Sequence, residues 1–253
     1  MQQTNLKNRF IRLVKVISHS GYCSRREAEG LITSGKVLLN GHPYKEFLIQ
    51  PEEIKKLSIN GKKLSMQKTR LWCFNKSTGL ICSNSNQYGK KTIFEILPSV
   101  LPRVVTVGRL DINSEGLLLL TNNPSLSSFL EHPRNSFIRI YNVIVKGEIN
   151  QLNIRELGKG IIIDGIKYNK IKIKILNNES KIKILRITLV EGKNREIRKV
   201  LKYYGLKVIK LKRIQYGPFK IESIEKNKVE EIENCNLIKI LENIGFKNED
   251  NFW

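Results

Sequence analysis

Residues 107–123 read Val-Gly-Arg-Leu-Asp-Ile-Asn-Ser-Glu-Gly-Leu-Leu-Leu-Leu-Thr-Asn-Asn. The stretch is a polar loop with two glycines, followed directly by an apolar run that belongs in a hydrophobic core. This order predicts that the carboxylate of Asp111 lies at the edge of that core, where it is partly shielded from water.

Three interpretations of this loop compete: a calcium site, a structural turn and a catalytic carboxylate. Asp111, Asn113 and Glu115 match the opening of an EF-hand loop, but the twelfth position is Asn122 and not the bidentate glutamate that calcium requires. In a structural turn, the Asp111 carboxylate would only cap the backbone. The third interpretation, a nucleophile, depends on the rest of the chain.

The chain is strongly basic. It has 253 residues with 45 Lys and Arg against 23 Asp and Glu, a formal net charge of +22. Residues 222–253 carry more acidic than basic side chains, so the positive excess lies in residues 1–221. Such an excess favours a polyanionic partner such as nucleic acid. The length allows two domains of unequal size.

Composition argues against several other classes of protein. No apolar run approaches the roughly 18 residues of a membrane span, and the first residues lack the apolar region of a signal peptide. We therefore expect a cytoplasmic protein with no membrane contact. The four cysteines show no Cys-x-x-Cys spacing, so neither disulfides nor a zinc site is predicted.

The N-terminal part is predicted to be two short helices and a hairpin. Residues 12–17 have apolar side chains at helical spacing, and Gly21 would end that helix. Ser24-Arg25-Arg26-Glu27 has the form of a capping box at the start of a second helix, which ends near Gly35. Val37, Leu39 and the turn signal Asn40-Gly41 indicate the hairpin. One small basic face, suited to phosphates, would combine the following residues: Arg12, Lys15, Arg25 and Arg26.

The larger part is predicted to be an α+β domain with a mixed, mainly antiparallel sheet. Alternation of apolar and polar residues and turn signals indicate strands at 71–75, 104–107, 137–146, 161–163, 170–176, 181–190 and 207–214. Helical spacing and end signals indicate helices at 125–131, 151–157, 195–204 and 237–244. Helices are expected to flank the sheet.

Two families resemble this chain. Arg12-Leu13-x-Lys15, Gly21 and Ser24-Arg25-Arg26-x-Ala28 resemble the S-four-type RNA-binding domain, named after a ribosomal protein. The segment Gly108-Arg109-Leu110-Asp111 with its continuation resembles the pseudouridine synthases of the RsuA/RluB group. Further matching motifs are Asn75-Lys76, Gly79, Leu97-Pro98, His132-Pro133-Arg134, Arg139-x-Tyr141-x-Val143 and Glu191-Gly192-Lys193-Asn194-Arg195-Glu196-Ile197-Arg198. The organisation expected is an RNA-binding domain at 10–60, a linker at 61–69, a catalytic domain at 70–233 and a C-terminal extension at 234–253.

The resemblance implies a reaction and a site. It implies that Asp111 is the nucleophile that converts a uridine of ribosomal RNA to pseudouridine, without a cofactor or a metal. It also implies that Tyr141 stacks on the base and that Arg198 pairs with Asp111. Strand alternation places Arg139 and Tyr141 on one face, and Arg198 falls at the margin of an apolar helix stripe. Other residues expected to bind RNA are Arg109, Arg139, Lys193, Arg195 and Lys199.

Large-subunit ribosomal RNA is the favoured substrate, because the sequence of residues 194–198 resembles the large-subunit enzymes more than the small-subunit enzymes. A monomer with no obligatory protein partner is expected.

Two alternatives are a non-catalytic RNA-binding or ribosome-assembly protein and a hydrolase acting on nucleic acid. Asp111, Tyr141 and Arg198 argue against the first, because a degenerate enzyme would have no use for all three. Metal-dependent nucleases cluster acids and glycosidases pair them, and only Glu115 lies near Asp111 in the sequence.

Overall fold

A computed structural model describes residues 10–65, 67–84, 89–178 and 182–247. The first residues of the chain and residues 248–253 of the expected C-terminal extension lie outside these ranges. Apolar side chains form three buried clusters. One draws all its members from residues 11–64, and the other two draw theirs from residues 71–246. The expected α+β architecture is confirmed.

The N-terminal part has the predicted two helices and short strands. Its helices are α1 (Leu13–His19) and α2 (Arg25–Thr33), and its strands are β1 (Ile11–Arg12), β2 (Val37–Leu39), β3 (His42–Pro43), β4 (Leu48–Ile49), β5 (Leu57–Ile59) and β6 (Lys62–Lys63). The predicted capping box is confirmed: Ser24 Oγ accepts from Glu27 N at 3.2 Å, and Glu27 Oε2 accepts from Ser24 N at 2.7 Å. These bonds satisfy two backbone donors at the start of α2.

The larger part is built around a nine-stranded sheet. Its strands are β7 (Leu71–Lys76), β8 (Val105–Val107), β9 (Glu115–Thr121), β10 (Arg139–Lys146), β13 (Lys172–Asn177), β14 (Ile182–Leu189), β15 (Lys207–Tyr216), β16 (Phe219–Lys220) and β17 (Val229–Glu231). The order is β13-β14-β10-β15-β9-β7-β17, with β16 on β15 and β8 on β9. All pairs are antiparallel except β15 with β9, so the prediction of a mixed, mainly antiparallel sheet is confirmed.

Helices and one hairpin pack around this sheet. They are α3 (Pro124–Glu131), α4 (Ile154–Leu157), α5 (Glu196–Tyr203), α6 (Asn234–Asn243) and the hairpin β11 (Ile161–Ile163) with β12 (Ile166–Tyr168). Helix α4 is shorter than predicted, because the side chain of Asn153 accepts from Glu156 N at 3.1 Å and caps the helix there. Leu237 and Leu241 of α6 are buried in the same cluster as Leu71.

Strand β9 was not predicted as a strand, although it lies in the middle of the sheet. All seven of its residues are buried, so it has no polar alternation to mark it. Leu118 and Leu120 pack into one apolar cluster, and Leu117 and Leu119 pack into the other. The strand therefore fixes the Asp111 loop, which precedes it, between the two faces of the domain.

All four cysteines are free thiols. Within the described ranges, no group of three or more His, Cys, Asp or Glu side chains could hold a metal ion. In the same ranges, no helix combines the length and apolar character needed to cross a bilayer.

Candidate active site

A cavity of about 460 Å³ opens where the loop before β9 meets β10, β15 and the segment that joins β14 to α5. Predicted site residues from distant parts of the sequence line it together: Arg109, Asp111, Arg139, Tyr141, Lys193 and Arg195. Arg198 and Lys199 are not among its lining residues. The carboxylate, the aromatic ring and the cations thus share one concave surface.

A buried lysine, Lys76, holds the backbone of the Asp111 loop. Lys76 has no exposed surface, and its Nζ donates to the carbonyl oxygens of Asp111 at 3.1 Å, Ser114 at 2.9 Å and Ser77 at 3.1 Å. Burial lowers the pKa of Lys76, and the negative charge of Asp111 opposes that shift. With its backbone fixed in this way, Asp111 keeps a side chain that is 31% exposed at the cavity.

The ion-pair partner of Asp111 is Arg195. Arg195 Nη1 lies 3.8 Å from Asp111 Oδ2, whereas Arg198 donates from Nη2 to the Asn113 carbonyl at 2.8 Å and from Nη1 to the Val208 carbonyl at 3.4 Å. The predicted direct pairing of Asp111 with Arg198 is therefore not formed in this structure. Burial and the neighbouring Arg195 lower the pKa of Arg198, and the charge of Asp111 opposes this shift. The guanidinium of Arg198 therefore contacts the backbone of the Asp111 turn. Its positive charge also acts on the Asp111 carboxylate.

Tyr141 lies in the wall of the cavity with 8% of its surface exposed. Arg139 is on the same side of β10, as predicted, but its guanidinium is 4.6 Å from the ring centroid of Tyr216 and donates to Tyr216 Oη at 2.7 Å. It also donates to the Val190 carbonyl at 2.7 Å. The expected pairing of a cation with an aromatic ring therefore involves Tyr216, and much of the donor capacity of Arg139 is already used.

Two neighbouring carboxyl groups in the cavity wall, Glu191 and Glu196, have pKa shifts of opposite direction. Burial and the charge of Glu191 raise the pKa of Glu196 to about 7, although Lys193 N donates to its Oε2 at 2.9 Å. Burial opposes the ionisation of Glu191. The backbone N–H of Asn169 and the side chain of Lys193 outweigh it, so the pKa of Glu191 is lowered. Near neutral pH, Glu196 is therefore partly protonated, next to an ionised Glu191.

Glu196→Gln is expected to stabilise the protein at alkaline pH. A carboxyl group with a raised pKa contributes stability that is complete below its unfolded value of 4.5 and is lost as the pH rises through about 7. Glutamine resembles the protonated form at every pH. Thermal unfolding should therefore show similar Tm values at pH 4.5 and a variant about 6–12 °C more stable at pH 8, because a pKa shift from 4.5 to about 7 corresponds to about 3 kcal/mol. A Tm difference independent of pH would contradict this assignment of the proton.

The other predicted RNA-binding residues lie outside the cavity. Arg12, Arg25 and Arg26 are exposed on the N-terminal part, and Lys199 is exposed on α5. Arg25 and Arg26 line a second cleft, of about 770 Å³, which they share with Arg103 of the larger part. The sequence does not predict that Arg103 lies at this surface, because Arg103 is far from α2 along the chain.

Several residues of the cavity were not singled out from the sequence. The matching motifs contain Lys76, Glu191 and Glu196, but no role was predicted for these three residues. Arg213 and Tyr216 lie on β15 and also line the cavity. Arg213 follows Lys210 and Lys212 in a basic strand, and only the three-dimensional pairing distinguishes this buried cation from the exposed Lys210 and the half-buried Lys212.

Comparison with known families gives two matches. Residues 70–203 match the RNA pseudouridylate synthase family model, and residues 11–54 match the S4 domain.

Individual proteins agree with these matches. An uncharacterized RNA pseudouridine synthase of Rickettsia typhi is 42% identical over 233 residues, which cover 92% of this chain and 96% of the relative. The ribosomal large subunit pseudouridine synthase B of Bacillus subtilis is 32% identical and covers 87% of this chain and 91% of its own. A crystal structure of a pseudouridylate synthase has a TM-score of 0.63 at 23% identity, covering 91% of this chain and 99% of that one, and shows the same fold.

Proposed function

The chain belongs to the RNA pseudouridylate synthase family, and we propose that it converts a specific uridine of large-subunit ribosomal RNA to pseudouridine with Asp111 as the nucleophile. One observation carries the assignment of the nucleophile: the partly exposed Asp111 carboxylate shares a cavity with Tyr141 and lies 3.8 Å from Arg195. A carboxyl group beside a cation and an aromatic ring is suited to attack on a flipped nucleoside.

The reaction needs one covalent catalyst. The bond from ribose C1′ to uracil N1 breaks, the ring turns, and a bond from C1′ to C5 forms. The C5 proton is lost, and N1 gains a proton, so no net oxidation or reduction occurs. Asp111 attacks either C1′ or the uracil ring, and in both routes the same carboxylate forms the covalent bond and is released at the end.

The neighbours of Asp111 have distinct proposed roles. Arg195 places a positive charge 3.8 Å from the carboxylate. Arg198 positions the turn that carries Asp111 through its bond to the Asn113 carbonyl and adds a second positive charge. Tyr141 offers a ring on which the unstacked uracil lies. Arg198 is therefore proposed as a positioning residue for Asp111, because its contact is with the loop and not with the carboxylate.

We propose that two basic surfaces bind the RNA around the target uridine. Residues 10–60 act as the S4-type binding domain and residues 61–69 as a linker to the catalytic domain at 70–233, with 234–253 as an extension. The exposed cations of the N-terminal part contact phosphates, and Arg109, Lys193 and Lys199 do so near the cavity. The cleft lined by Arg25, Arg26 and Arg103 adds a third cation to the basic surface of the N-terminal part.

The proposed substrate rests on similarity to the Bacillus subtilis protein, whose name specifies the large ribosomal subunit. The test is to map pseudouridine at single-nucleotide resolution in both ribosomal RNAs from cells with and without the gene. One or a few large-subunit uridines should lose modification on deletion and regain it on complementation. Unchanged maps of both RNAs would reject a ribosomal substrate, and a loss confined to the small subunit would reject the large-subunit assignment.

A further inference from the structure

We propose that Arg213 binds the target base: its guanidinium donates a hydrogen bond to a carbonyl oxygen of the uracil and stabilises the negative charge that develops there during the reaction. The inference rests on the proposed function and adds a residue to it.

Arg213 lies at the meeting point of the strands that build the site. It pairs with Tyr141 across the antiparallel β10–β15 ladder and with Gly116 across the parallel contact of β15 with β9. It lines the cavity together with Asp111 and is only 3% exposed. The fold thus places a buried cation beside the ring proposed to stack on the base.

The hydrogen bonds of Arg213 are incomplete. Its Nε donates to the Leu117 carbonyl at 2.7 Å, and its guanidinium carbon is 5.1 Å from the ring centroid of Tyr216. Its Nη2 is buried and has no hydrogen-bond partner among the described residues. A guanidinium carries five N–H donors, and a buried charged donor without an acceptor is unfavourable. Such a group in a substrate cavity indicates that a ligand supplies the acceptor.

Arg139 provides the contrast within the same cavity. Its guanidinium donates to Val190, Phe137 and Tyr216, so protein oxygens already occupy it. Arg213 has one such bond, which fixes its orientation and leaves donors for the substrate. The two arginines therefore divide into one that supports the wall and one that contacts the base.

Uracil supplies the acceptor that this site lacks. Its ring has two carbonyl oxygens, O2 and O4. When the C1′–N1 bond breaks after attack at C1′, the electron pair stays on the ring and its charge spreads from N1 to these oxygens. Attack of the carboxylate on the ring also moves an electron pair towards a carbonyl oxygen. In both routes a preorganised cation at that oxygen stabilises the transition state more than the ground state.

The test combines a change in the enzyme with a change in the base. A synthetic RNA hairpin containing the mapped uridine is prepared with uridine, 2-thiouridine or 4-thiouridine at that position, because sulfur accepts hydrogen bonds more weakly than oxygen. Single-turnover rates and RNA dissociation constants are measured for the full-length protein, Arg213→Gln and Arg213→Lys. Lys212→Gln, which changes the neighbouring residue outside the cavity lining, is the matched control.

Arg213→Gln is expected to slow the reaction by roughly 100-fold, with RNA affinity unchanged within about threefold. One of the two thiouridines should slow the unmodified enzyme by about tenfold and slow Arg213→Gln little further. Lys212→Gln should behave as the unmodified enzyme does. Arg213→Lys retains the positive charge and a donor for the Leu117 carbonyl. If Arg213→Gln does not fold, the thiouridine effects are compared between the unmodified enzyme and Arg213→Lys instead.

Two results would overturn the inference: no effect of either thiouridine on the unmodified enzyme, or an equal effect with and without the arginine. The second is what a purely structural Arg213 produces, because its link to Leu117 does not sense the base. If the unmodified enzyme forms no pseudouridine in the all-oxygen hairpin, the proposed function fails and this inference falls with it.

Discussion

Asp111→Asn is expected to lower the single-turnover rate of pseudouridine formation by at least about 10⁴-fold, which corresponds to about 5 kcal/mol of activation free energy. Asparagine has the same shape, but its neutral amide cannot act as the carboxylate nucleophile. The backbone contacts of the loop with Lys76 do not involve the Asp111 side chain, so the loop should keep its conformation. RNA affinity and Tm should therefore change little.

Asp164→Asn makes the same chemical change elsewhere and is the matched control. Asp164 lies in the turn between β11 and β12 with a φ of +50°, a conformation that asparagine adopts readily. Asp164 is not part of the cavity lining, so the activity of the Asp164→Asn protein should equal that of the unmodified enzyme. An Asp111→Asn protein that forms pseudouridine at a comparable rate on purified ribosomal RNA would remove Asp111 from the chemistry.

The sequence predicts one site with Asp111, Tyr141 and Arg198, and in the structure Asp111 and Tyr141 share a cavity while Arg195 forms the ion pair with the carboxylate. A helical projection of residues 195–204 put Arg198 at the inner margin and Arg195 on the outside. In the structure α5 begins at Glu196, and Arg195 is the residue before it, with a φ of +52°. The projection does not apply to a residue outside the helix. The left-handed backbone turns Arg195 back towards the cavity.

Other parts of the site depend on contacts that no local pattern contains. Lys76 is fully buried because three carbonyl oxygens from two separate segments surround its ammonium group. Arg213 is buried because β15 lies between β10 and β9. Hydrophobic periodicity predicts which strand a lysine or arginine occupies, but not which carbonyl oxygens meet it. Strand β9 itself was missed because burial on both faces removes the alternation that indicates a strand.

Gly116→Ala is expected to destabilise the protein by about 3 kcal/mol or more, and to lower its Tm by about 10 °C. Gly116 has a φ of +101°, and a Cβ placed on it would overlap the Arg213 carbonyl oxygen and lie 2.9 Å from Arg213 N. These are backbone atoms of the parallel contact between β9 and β15, so one strand must move away from the other. Activity should also fall, because this contact joins the strand that follows the Asp111 loop to the strand that carries Arg213, and both residues line the cavity.

Gly165→Ala separates the steric cost from the cost of backbone conformation. Gly165 also has a positive φ, +74°, but a Cβ there would have no atom within 4 Å. This variant should lose only the about 1–2 kcal/mol that a left-handed backbone costs an L-residue, and it should stay active. Because both variants add the same methyl group, their difference in free energy of unfolding measures the closeness of β9 to β15. Equal losses would mean that the strands can separate freely, and the site would then need another explanation for its rigidity.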